Sequence, residues 1–207
     1  MTEGLTERTG IIEWAVESRL YPGQTECGDR FVVLEVWEGV LVAVVDGLGH
    51  GAEAAFAANS AIDTIRQNRE RSFSSLLQIC HENLRGTRGV VISLAFLDPH
   101  RTMTWIGIGD VEGRLVRRRI RQAEKSESLL LRTGVVGGDH NKLPSFYPRG
   151  ATLVRGDILI LATDGIRTSF EEAVDISLEP GEIALDIINN YSRIDDDSLV
   201  LVARYMG

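Results

Sequence analysis

VLVAVV, Val40 to Val45, is apolar on both of its alternating faces, and so are VVISLAF (Val90–Phe96) and ILILA (Ile158–Ala162). Successive side chains of a strand point to opposite faces of its sheet. A strand that is apolar on both faces is therefore covered on both sides. Two sheets packed together meet this demand if each turns its other face to helices. The expected architecture is α+β, a four-layer αββα sandwich. Short connections between the strands predict two mainly antiparallel sheets.

Working outward, IIEWAVESRL (Ile11–Leu20) alternates as a half-buried strand does. FVVLEVW (Phe31–Trp37) and Val40–Val45 flank the tight Glu38–Gly39 pair, a hairpin signal. An alanine-rich helix is predicted from His50 to Asn68, with Ala54, Ala58, Ala61, Ile62 and Ile65 on one face. A second helix is predicted from Ser72, its N-cap, to Arg85, and a third from Glu182 to Tyr191. Further strands are predicted at Gly89–Asp98, Thr102–Asp110, Gly113–Arg119, Ser128–Thr133, Asp157–Gly165 and in the closing DSLVLVARYM. Trp37 and Trp105 fall in strands, as core or partner surface.

The 207 residues suit a single domain, 1–207. No apolar run approaches the length of a membrane span. The polar N-terminus lacks the basic-then-apolar pattern of an export signal, and Cys27 and Cys80 form no disulfide framework or metal knuckle. A reduced, cytoplasmic protein is expected. A formal charge of −8 argues against general nucleic-acid binding. The basic stretch RLVRRRIRQ (Arg114–Gln122) runs against that balance, as outward arginines of a strand or as a docking patch.

The apolar run ends in VVDGLGHG, with Asp46 at the rim of the core and glycines at 47, 49 and 51. ATDG (Ala162–Gly165) repeats this design with Asp164. The acidic run Asp195–Asp197 opens the last strand, and CGD sets Asp29 just before Phe31. A single Asp-Gly pair marks only a turn. Four strand ends with aspartate point further, because carboxylates gathered in a poorly solvated rim repel one another unless a cation lies among them. An oxygen-only set suits magnesium or manganese and not zinc.

Taken in order, CGD, VVDGLGHG, ATDGI and DDDSLVL resemble the motif set of metal-dependent protein serine/threonine phosphatases of the protein phosphatase 2C type. The resemblance runs from about Asp29 to the C-terminus. The DGLGHG form is similar to the bacterial sporulation and stress-response branch, and the short chain resembles its stand-alone stressosome feedback phosphatases. The resemblance implies two Mn2+ or Mg2+ ions and an activated water as nucleophile. Asp29, Asp46, the Gly47 carbonyl, Asp164 and Asp195 would hold the metal, with Asp196 as the alternative within the acidic run. The implied substrates are phosphorylated STAS-domain proteins of a stressosome-like complex, with no nucleic acid and no membrane involved. The eukaryotic branch has a phosphate-holding arginine shortly before its first acidic ligand; Glu26 and Cys27 stand there instead, and Arg30 follows. The segment from Gly134 to Tyr147 looks shorter than the flap of larger relatives. His50 is a candidate proton donor, or a capping or packing residue at the start of its helix. His140 is a candidate substrate contact. A non-catalytic binding module and a small-phosphoester hydrolase remain as other readings of the same residues.

Overall fold

A computed structural model describes residues 3–37, 39–118 and 126–207. The chain opens with strands β1 (Glu3–Thr9), β2 (Ile12–Arg19), β3 (Asp29–Val36) and β4 (Gly39–Gly47). Helices α1 (Ala52–Gln67) and α2 (Phe73–Asn83) follow. Next come β5 (Val90–Leu97), β6 (Thr102–Ile108), β7 (Glu112–Val116), β8 (Ser126–Ser128), β9 (Leu131–Arg132), β10 (Arg149–Thr152) and β11 (Ile158–Ala162). A 3-10 turn (Thr168–Ala173), α3 (Pro180–Tyr191) and β12 (Ser198–Tyr205) complete it. One sheet runs β1-β2-β12-β11-β7-β8 and the other β10-β6-β5-β4-β3, with β9 beside β6. All pairings are antiparallel except β6 with β9.

The doubly apolar strands behave as their composition requires. Val40, Val42 and Val44 enter the core between the sheets, while Leu41, Ala43 and Val45 face the layer under α1 and α2. Leu159 and Leu161 of β11 likewise face the other sheet, and Ile158 and Ile160 face α3. Each such side chain, removed fully from water, stabilises the fold by roughly 1.5–3 kcal/mol. The alanine face of α1 lets the helix lie close on its sheet; Ala54, Ala57, Ala58 and Ala61 are fully buried. Ser72 caps α2 by accepting from the Ser75 N–H.

The structure departs from the sequence expectations in identifiable places. The expected strand Ser128–Thr133 is broken, with β8 on β7 and β9 on β6 in the opposite sheet. Leu129 marks the crossing: it is buried, packs over Gly113 and donates its N–H to the Gly113 carbonyl at 2.8 Å. One straight strand could not pair with both sheets. β1 was not expected from its polar sequence, yet it pairs with β2 along its length, from Glu3 opposite Ser18 to Thr9 opposite Ile12. As an edge strand it need not be apolar. β10, also unexpected, pairs with β6. Trp37 lies beyond the end of β3 at φ 47° and is 67% exposed, outside the core. In the basic stretch, β7 ends at Val116. Arg114 pairs with Glu112 and Glu171, and Arg117 with Glu127 and Asp157. These two arginines are engaged within the fold; Arg119–Gln122 lie outside the described residues, as does Glu38 of the hairpin pair. Among the described residues, no helix is long and apolar enough to cross a membrane.

Candidate functional site

Antiparallel pairing brings the strand-end aspartates to one rim. β3 begins where β4 ends, and Asp29 stands directly opposite Asp46. In the other sheet β11 ends where β12 begins, which sets Asp164 beside the acidic run. A cross-sheet connection joins the two pairs: Thr163 Oγ1 donates to Asp29 Oδ2 at 2.8 Å and accepts from the Leu199 N–H at 2.9 Å.

The electrostatics mark this as one cluster. Asp29 is 4% exposed, and burial holds its carboxyl well above the usual carboxylate range; the charges of Asp197, Asp164 and Asp196 add to this, and the Thr163 hydrogen bond opposes it. Asp46 is pushed up to about 9, first by burial and then by Asp29, Asp164, Asp110 and Asp196. Asp164 is raised by burial, Asp196 and Asp110, with Arg193 opposing. Asp196 is raised mainly by burial as well. None of the ion pairs among the described residues involves any of these four.

The acidic run divides its labour. Asp196 is among the leading charges acting on Asp29, Asp46 and Asp164, whereas Asp195 is exposed and acts on its neighbour Asp196. Asp197 points inward: its two oxygens accept from the Tyr21 N–H at 2.8 Å and the Gly28 N–H at 2.6 Å, tying the loop before β3 to the start of β12. Removing that carboxylate leaves two backbone donors unpaired. Asp197→Ala is expected to destabilise the protein by about 2–3 kcal/mol, measured by urea unfolding.

Asp110, at the turn after β6, was not among the residues singled out from the sequence, although its charge acts on both Asp46 and Asp164. Its signal was there, a glycine-aspartate pair closing a strand. Gly47 is buried beside Gly28; its N–H donates to the Gly28 carbonyl at 3.1 Å. His50 does not cap α1, whose N-cap is Gly51 without a side-chain bond. Its exposed ring meets Gln24 Nε2 through Nδ1 at 3.3 Å and lies 5.7 Å from the Tyr21 ring. Arg30 bends back onto the carbonyls of Cys27 and Asp29 and onto Asn59. His140 is exposed in the loop after Gly138. Burial pushes the Cys27 and Cys80 thiols up to about 12, a poor state for a nucleophile.

The donors are all oxygen and like-charged; Arg193 acts on Asp164 and Asp196 without forming an ion pair with either among the described residues. Among the described residues, no three acidic, histidine or cysteine side chains converge closely enough to hold an ion unaided. This arrangement fits a hard divalent cation such as magnesium, which keeps several of its waters and takes only one or two carboxylates.

Comparison with known proteins agrees with this fold. The chain belongs to the SpoIIE family (Stage II sporulation protein E), whose model matches residues 38–205, and its architecture is that of a protein phosphatase 2C domain. A curated relative, phosphoserine phosphatase RsbX of Bacillus subtilis (strain 168), is 25% identical over 187 residues, covering 86% of this chain and 88% of RsbX. A solved structure of RsbX in complex with magnesium superposes with a TM-score of 0.84 at 21% identity, covering 99% of this chain and all of that one. A chain from work on the bacterial stressosome, described as a modular system adapted to control secondary messenger signalling, gives a TM-score of 0.82 at 28% identity, covering 93% of this chain and 99% of its own.

Proposed function

We propose that this chain hydrolyses phosphoserine and phosphothreonine on STAS-domain proteins of a stressosome-like complex in the cytoplasm, as negative feedback in a bacterial stress-signalling pathway. The observation that carries this reading is the gathering of Asp29, Asp46, Asp164 and Asp196 on one rim of a SpoIIE-family fold. The similarity to phosphoserine phosphatase RsbX and to the stressosome chain supports the substrate class. Two Mn2+ or Mg2+ ions are the proposed cofactors; when bound, such ions lower the pKa of a coordinated water toward neutrality and neutralise charge on phosphoryl oxygens.

The residues take the following parts. Asp46, reached by every other member of the cluster, is the central ligand, and the Gly47 carbonyl is a further one. Asp29 and Asp164 complete the two sheets' contributions, and Thr163 orients Asp29 through its hydroxyl. From the acidic run we assign Asp196, because its charge reaches the cluster, with Asp195 as the alternative one residue outward. We assign to His50 the proton transfer to the leaving serine oxygen, from the lip of the site.

The test is phosphate release from a serine-phosphorylated STAS-domain protein and from an unrelated phosphopeptide, with manganese, magnesium or chelator. The reading expects metal-dependent release that favours the STAS protein. Equal turnover of both would remove the partner assignment. Binding without release under either metal would identify a non-catalytic module. Asp196→Asn should lose far more activity than Asp195→Asn.

A further inference from the structure

Beside the acidic rim, the first turns of α1 and the loops 86–88 and 139–140 form an open cavity of about 610 Å3 whose lining includes Glu53, Phe56, Thr87, Arg88, Asp139 and His140. Its position relative to the rim is set by backbone bonds. The Leu48 N–H donates to the Gly89 carbonyl at 3.1 Å, so the chain at Arg88 runs alongside Leu48 and Gly49. Thr87 Oγ1 donates to the Leu84 carbonyl and accepts from the Gly89 N–H, which fixes the base of Arg88. The opposite wall is tied in as well, through the Gly138 N–H to the Leu84 carbonyl at 3.1 Å and the bridge between Val90 and Val136.

Arg88 stands at the mouth. Its Nε and Nη2 both engage Glu53 Oε2, at 2.7 and 2.5 Å. Its Nη1 lies over Gly49, where a Cβ would come within 2.3 Å of it, and makes no hydrogen bond among the described residues. Both partners are well exposed, 45% and 71%, and such pairs contribute little to stability and exchange readily. Arg30, which follows Asp29, is occupied by backbone carbonyls and Asn59. Phe56, one turn beyond Glu53 on the same helix face, is 64% exposed and offers an apolar contact beside the charge.

We propose that Arg88 reads an acidic side chain flanking the phosphoserine of the substrate, and that Glu53 holds that place until the substrate carboxylate displaces it. This rests on the phosphatase reading above. Gly49 is three residues past Asp46, a span of at most about 10 Å, which an extended substrate covers in two or three residues. A side chain two or three residues from the phosphoserine is therefore within reach of Arg88. An arginine fork suits a carboxylate, which it can hold through two parallel bonds.

The experiment uses two fluorescent phosphoserine peptides that differ only in carrying Asp/Glu or Asn/Gln at the flanking positions. Affinity and magnesium-dependent kcat/KM are measured for both. Wild type should prefer the acidic peptide by about tenfold. Arg88→Ala should remove the preference, Arg88→Lys should keep part of it, and Glu53→Gln should widen it by removing the internal competitor. The opposite signs at the two positions separate recognition from damage to the fold, and Glu53→Gln guards against an Arg88 variant that fails to fold. No preference in wild type, or an equal preference in Arg88→Ala, would overturn the proposal. Preferential binding lost in Arg88→Ala, but with no hydrolysis of either peptide, would sustain it while removing the phosphatase reading.

Discussion

Asp46→Asn is expected to lower metal-dependent phosphate release by about a thousandfold or more, since it removes the proposed central ligand of the acidic cluster. The same substitution should stabilise the metal-free protein at alkaline pH. Burial and four like charges push Asp46 up to about 9, from an ordinary aspartate value of 3.8. Between those limits the folded state retains a proton that the unfolded chain has lost. Stability contributed by this group is thus fully present below about pH 4 and is lost as pH rises through about 9. A cation that binds only the folded state acts in the other direction, stabilising it by mass action. Thermal melts of wild type without metal should fall across this pH window, and magnesium should raise the melting temperature at pH 8. In Asp46→Asn the metal-free melting temperature at pH 8 should rise, by roughly 5 °C, and the magnesium increment should shrink. A variant that loses activity but keeps the full magnesium increment would remove Asp46 from the ligand set.

The second large effect is expected at Gly165, the glycine of ATDG. A Cβ there would lie 1.8 Å from the Asp197 carbonyl oxygen and 2.6 Å from Ser198 Oγ. The obstacle is mainly backbone and cannot rotate aside. The Gly165 carbonyl is also pinned, accepting from the Arg193 N–H at 2.7 Å and Ser198 Oγ at 3.0 Å. Gly165→Ala must therefore drive the acidic run away from β11, and is expected to cost about 3 kcal/mol or more. In urea this should appear as a midpoint lowered by about 1 M or more. Gly150→Ala provides the comparison: a Cβ there meets nothing nearer than the Met103 carbonyl at 3.9 Å. Its effect should stay within about 0.5 kcal/mol. Similar midpoints for the two variants would show that the close approach at Gly165 carries no energetic weight.

Several features were legible in the sequence for a physical reason. Val40–Val45 and Ile158–Ala162 are apolar on both faces, and only burial between two other layers accommodates that pattern; the sheet-sheet-helix stacking follows from it. The alanine face of α1 and the Ser72 cap were visible because they depend on local spacing and local hydrogen bonds. The aspartates at 29, 46 and 164 stood out because each ends or opens an apolar run. What the sequence left open depends on contacts between distant segments. Three consecutive aspartates carry no internal mark; only the position of Tyr21 and Gly28 turns Asp197 inward, and only the meeting of the strand ends at one rim brings the charge of Asp196 to bear on Asp46 and Asp164. The strand break at Leu129 follows from a choice between two sheets, and β1 exists because β2 presents a free edge to it. The sequence by itself determined the layers and the candidate acids. Which acids share one electrostatic environment was decided by antiparallel pairing and by the packing of the two sheets, since both join residues far apart in the chain.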